Sequence, residues 1–142
     1  MDVELWYYFF MNIFRKVFLI FFVAFILNVI WENLHSFLYD NYIGGKITEF
    51  ILLRATLVDA IIIVVLCLPF IFFPSFKKQS WIIIPLGFIV AINIEWWALQ
   101  TNRWSYNVYM PIIPFLSVGL TPAIQLGLLG YLSFKIQEYL LT

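Results

Sequence analysis

Cysteine and histidine are almost missing from this chain: Cys67 and His35 are the sole examples among 142 residues. An intrachain disulfide is therefore excluded, as is a zinc centre built from clustered Cys and His. Cys67 stands in an apolar run and reads as a small buried hydrophobe. Charge is scarce as well, at 11% of residues against about 25% in soluble domains. Eight basic residues balance eight acidic ones, giving a formal net charge of +0. No basic excess exists to hold nucleic acid or another acidic polymer, so neither is a partner. There is no phosphate-cradling glycine loop, no G-x-S-x-G elbow to make Ser36 or Ser117 a nucleophile beside His35, and no internal repeat.

What fills the chain is apolar. Hydrophobic residues make up 64% and aromatics 21%, with a mean hydropathy of +0.97. That composition belongs in a bilayer. The predicted fold is an all-α integral membrane bundle, a single domain over residues 1–142. Its four spans cover about 17–39, 47–73, 80–100 and 121–140. The aromatic start, Trp6 to Phe10, suits the headgroup layer and predicts an interfacial segment that ends at Arg15 and Lys16. Asp2 and Glu4 stand where a signal peptide carries positive charge, so the first span is expected to be retained. Pro85 falls one turn into the third span, where it is tolerated. Pro111 and Pro114 break the stretch before the fourth span, which predicts an irregular loop with an interfacial or re-entrant piece. Thr121-Pro122 has the chemistry of a helix start. Gly127 and Gly130 permit close helix approach.

Four spans place both termini on one side. Arg15, Lys16, Lys77, Lys78 and Lys135 share that side, while Lys46 and Arg103 lie opposite. The positive-inside rule then predicts a multi-pass protein of the cell membrane with both termini cytoplasmic.

Against this apolar background a few polar residues stand out: Glu32, His35, Arg54, Asp59, Glu95 and Gln125. A charged group at membrane depth costs about 2.5–3.5 kcal/mol on insertion scales. Chains that keep such groups pair them, line a wet cavity with them or use them in chemistry. Counted along the four helices, all six fall in the extracytoplasmic half. Asn28, Glu32 and His35 share one helix face by i, i+4 and i, i+3 spacing.

Each residue supports a bland reading and a functional one. Arg54 is expected to form a structural ion pair with Glu32, Asp59 or Glu95. Glu-x-x-His is half of a carboxylate-bridged di-metal motif, but a chain with one histidine lacks the second half, so no metal and no cofactor is expected. Glu32 and His35 also fit an acid–base pair or a plain hydrogen-bonded one. The tryptophans read as an interfacial belt, yet Trp31, Trp96 and Trp97 adjoin acidic positions, where aromatic faces can hold a cation.

The segment EWWALQTNRWSYNVYMPIIPFLSVGLTPAIQ, from Glu95 to Gln125, together with WENLHSFLY in the first span and RATLVDA in the second, resembles a group of small bacterial four-span membrane proteins. The resemblance covers most of the chain and implies no activity. In residue types alone, a looser likeness is to the sterol isomerase-like bundles, which set His, Glu and Trp in a lipid-accessible cavity.

These observations favour a small membrane enzyme acting on a lipid or isoprenoid, a hydrophobic small-molecule substrate, by proton transfer. Glu32, His35, Asp59 and Glu95 are its catalytic candidates. Trp31, Arg54, Trp96, Trp97, Arg103 and Gln125 are its substrate-binding candidates. A small transporter, or an accessory subunit with a structural charge cluster, is the rival.

Overall fold

A computed structural model describes residues 2–142 and is mostly helical. Four long helices, α1 (Val3–His35), α2 (Glu49–Phe72), α3 (Ile83–Gln100) and α4 (Leu120–Leu141), carry four short strands between them: β1 (Tyr39–Tyr42), β2 (Trp104–Tyr106), β3 (Ile112–Ile113) and β4 (Val118–Gly119). The stretch α1 to Leu38, α2, and the helical run from Pro74 through α3 are each long and apolar enough to cross a membrane. α4 is less apolar and the most enclosed of the four helices.

Much of the outer surface is apolar, and several polar side chains are buried in the otherwise apolar interior. On α1, Phe18, Phe22, Ile26 and Ile30 are exposed while Asn28, Glu32 and His35 are buried. Such an outer surface suits a lipid solvent.

α1 and α2 pack as one pair and α3 and α4 as another, joined along α1–α4, while α2 and α3 meet only sparingly. The α3–α4 seam is the tightest, because Gly87 lies directly on Gly127. A Cβ at either position would run into backbone, that of Gly127 or of Ile84. Close approach through small residues is how helices associate in lipid, where no hydrophobic force drives them together.

Local chemistry sets the helix ends. The Thr48 side chain accepts a hydrogen bond from the Ile51 N–H at 3.3 Å and caps α2. Pro69 sits in the last turn of α2, and Pro74 opens an irregular 3-10 stretch, Pro74–Ile82. Pro85 falls in the first turn of α3, where its missing N–H is harmless.

Three expectations need correction. α1 runs unbroken through Arg15 and Lys16, so the first residues form no separate interfacial segment. At about 1.5 Å per residue its 33 residues reach about 50 Å, well beyond the roughly 30 Å of a hydrocarbon core. The region before α4 is not wholly irregular; it holds β2 and the β3–β4 pair. Thr121 is not the cap of α4, which begins at Leu120 after Gly119; the Thr121 hydroxyl turns to His35 instead.

The two loops at one end of the bundle meet as a sheet. β1 pairs antiparallel with β2, Tyr39 opposite Tyr106 and Tyr42 opposite Trp104, with a bulge between Tyr39 and Asn41. An extra residue lets Tyr39 and Tyr42, three apart, face inward together, which strict alternation forbids. At the other end, Lys77 and Lys135 hold Glu138 at 3.5 and 2.8 Å.

Candidate functional site

The polar side chains gather into two connected clusters below the β1–β2 sheet. In the first, the Gln125 side chain of α4 reaches into the centre of the bundle. Its Nε2 donates toward Asn28 Oδ1 at 2.8 Å, Glu32 Oε1 at 2.7 Å and Asp59 Oδ2 at 2.9 Å. One amide nitrogen thus ties α1, α2 and α4. It carries two hydrogens for three acceptors, so at most two of the three contacts are full hydrogen bonds at once. The Glu32 and Asp59 carboxyls thus share one donor, the Gln125 amide. The Asn28 orientation is fixed by its own Nδ2, which donates to the Ala24 carbonyl at 2.8 Å.

His35 extends this cluster toward the sheet. Its Nε2 lies 3.5 Å from Glu32 Oε1, and its Nδ1 lies 3.1 Å from Thr121 Oγ1. The 3.5 Å contact fits an ion pair but is too long for a good hydrogen bond, and Nε2 has no other partner among the described residues.

The second cluster centres on Glu95 of α3. Its Oε2 accepts from Trp104 Nε1 at 3.1 Å and from the Tyr106 hydroxyl. The Tyr106 oxygen in turn accepts from the Gly119 N–H at 3.0 Å. Strand β2 thus clamps this carboxyl from above. Tyr39 stacks edge-on against His35, Trp104 and Tyr106, so one aromatic wall spans both clusters. Burial pushes the Tyr106 phenol above its ordinary range, and the charge of Glu95 adds to it. Tyr42 is raised in the same way, by burial first and by the nearby carboxyls second.

Between the clusters, where α2 and α3 stand apart, lies a cavity of about 300 Å³. Asp59 and Gln125 face it from one side and Glu95 from the other, under a roof of Tyr39, Tyr42 and Trp104. The rest of its inner wall is apolar, including Ile62, Ala91, Ile94 and Leu126. Its mouth is marked by exposed residues, Val58 of α2 and Trp97 of α3 with Ile43, Arg54 and Arg103. Ile43 holds φ 53, a left-handed conformation that a β-branched residue rarely adopts. Next to it Gly44, at φ 68, lets the turn close over the cavity.

Of the residues singled out from sequence, Arg54, Asp59, Glu95, Trp97, Arg103 and Gln125 line this cavity. Glu32 and His35 stand one layer behind it, joined to it through Gln125. Trp31 and Trp96 are not on its wall. Trp31 lies edge-on to His35 with its Nε1 unpartnered among the described residues, and Trp96 donates to the Leu116 carbonyl at 2.7 Å. The expected ion pair of Arg54 does not form. Its side chain is exposed, and among the described residues no carboxylate lies within 4.0 Å of it. The physical reason is that Glu32, Asp59 and Glu95 are already engaged by uncharged donors. The sequence reading missed Tyr39, Tyr42, Trp104 and Tyr106. The alternation Trp104-Ser105-Tyr106 was the available signal of a strand that presents two donors to one side.

No family model, no curated protein and no solved structure matches the chain.

Proposed function

We propose that this chain is a four-span enzyme of the cell membrane that transfers protons on a lipid or isoprenoid entering sideways between α2 and α3. α4 is the fourth span, the most enclosed of the four, and both termini are cytoplasmic. The likeness to small bacterial four-span membrane proteins is part of the same proposal and brings no activity with it. One observation carries the reading. Asp59 and Glu95 face one cavity from opposite helices, and the mouth of that cavity lies between apolar outer surfaces.

The two carboxyls have different supports, which suits different roles. Asp59 and Glu32 meet at the Gln125 amide, and Glu32 contacts His35, so a proton can pass inward or outward along this line. Glu95 is held still by Trp104 and Tyr106. Glu95 therefore serves as the positioned acid or base at the substrate carbon. Asp59 is its counterpart, resupplied by Glu32 and His35. Trp97 and the tyrosine roof shape the space and exclude water.

Deuterium incorporation tests the proposal. Membranes holding the protein are incubated in D2O with a total lipid extract, then returned to H2O so that only carbon-bound label persists. The wild type should leave deuterium in one lipid species, and folded Glu95→Gln and Asp59→Asn variants should leave none. Equal labelling by wild type and variants would refute proton transfer at this site. A second reading is a polar clamp without chemistry, favoured by the way Gln125 bonds three helices at once. It predicts no labelling by any form and a stability loss in the variants alone.

A further inference from the structure

Arg54 and Arg103 come from different elements, α2 and the loop after α3, yet both line the cavity between α2 and α3. Both are exposed. Among the described residues neither has a carboxylate within 4.0 Å. The acids that share their cavity are occupied, Asp59 by Gln125 and Glu95 by Trp104 and Tyr106. Arg103 is held in place by the Trp97 ring, with its guanidinium 5.0 Å from the ring centroid. So the cavity has two uncompensated guanidinium groups at its mouth and an apolar interior behind them. Such forks match phosphate oxygens, and two of them on separate elements can grip one phosphate from two sides.

Resting on the site reading above, we propose that Arg54 and Arg103 bind the phosphate of a phosphorylated single-chain amphiphile whose apolar chain enters the α2–α3 cavity. The dimensions constrain the pose. Arg54 and Asp59 are five residues apart on α2, about 7–8 Å along the axis. A phosphate at Arg54 therefore sets the head of the chain, not its far end, beside Asp59 and Glu95. A cavity of about 300 Å³ lies at the small end of ligand pockets. It suits the headgroup and first carbons, with the remaining chain in the bilayer along exposed Val58 and Trp97.

The test uses dodecyl phosphate, inorganic phosphate and dodecanol as matched probes. Each is titrated against the full chain in phosphatidylcholine nanodiscs and followed by tryptophan fluorescence, since Trp97 and Trp104 line the cavity. Dodecyl phosphate should saturate, with the other two weaker by roughly tenfold or more. Arg54→Ala and Arg103→Ala should each weaken it by roughly tenfold at an unchanged unfolding midpoint. Arg54→Lys, which keeps the charge and loses the fork, should fall between and serves if the alanine variant does not fold. Equal affinity for inorganic phosphate would mean a free-anion site and overturn the proposal. Equal affinity for dodecanol, no saturation against the phosphodiester bilayer, or unchanged affinity in the arginine variants would overturn it too. Deuterium labelling that needs Glu95, beside arginine variants of normal affinity, would sink this inference alone. Arginine-dependent binding without labelling would sink only the proton-transfer reading.

Discussion

Replacing Gln125 by leucine removes the one side chain that joins three helices at the centre of the bundle. The substitution keeps an apolar shape of similar size and deletes an amide whose nitrogen sits within 2.7–2.9 Å of Asn28, Glu32 and Asp59. With two hydrogens available, at most two of these are full hydrogen bonds at once. Interhelical hydrogen bonds in bilayers average about 0.6 kcal/mol and reach about 1.7, so two are worth about 1–3 kcal/mol. The upper end applies here, because two of the three partners are carboxyls that lose a buried donor. Gln125→Leu should therefore lower stability by about 2–3 kcal/mol, read from reversible unfolding in mixed micelles of increasing sodium dodecyl sulfate content. A double-mutant cycle with Asp59→Asn should show coupling of about 0.5–2 kcal/mol. A leucine variant as stable as the wild type, or two effects that simply add, would refute the idea that this amide holds the bundle together.

Other outcomes follow from the same geometry. Gly127→Leu should abolish the close α3–α4 seam, because its Cβ meets the Ile84 carbonyl; size-exclusion chromatography should show loss of the folded species. Tyr106 should stay protonated as pH passes the ordinary phenol value of about 10. Because the folded state holds this proton more tightly than the unfolded state, its contribution to stability is constant below about pH 10 and declines above it. Tyr106→Phe should reduce that alkaline decline in unfolding titrations, and an unchanged decline would count against it. In a Cys67→Ala background, a cysteine at Lys46 should react with an impermeant maleimide added outside intact cells and one at Lys77 should not; the reverse pattern would invert the proposed orientation.

The periodic part of this structure was legible in the sequence. Asn28, Glu32 and His35 share a face by helical spacing, and that face is the buried one. Pro85 was expected to be tolerated near the start of its helix and lies there, and Gly127 proved to be a point of close approach. What escaped were contacts between residues far apart along the chain. The sheet that joins 39–42 to 104–106 is set by pairing between two loops, and the three-residue alternation at Trp104–Tyr106 does not by itself say which segment it pairs with. Without that sheet, Trp104 and Tyr106 could not be assigned to Glu95. Arg54 then looked like the obvious partner for a buried acid, because charge invites pairing. Neutral donors from the loops had already filled that place. The aromatic start suggested a surface segment by residue type, but nothing at Arg15-Lys16 breaks a helix, and α1 continues through it.

The account turns on carboxyls that face an apolar cavity reachable from lipid and take up a proton there. Dicyclohexylcarbodiimide tests this most directly, since it partitions into the bilayer and adds to a protonated carboxyl to leave a stable acylurea of defined mass. The protein is treated in native membranes, digested and mapped by mass spectrometry. The account predicts adducts on Glu95 and Asp59, each lost in its amide variant, with Glu32 protected behind Gln125. Adducts on Glu32 with none on Asp59 or Glu95, or no adduct on any of the three, would contradict it.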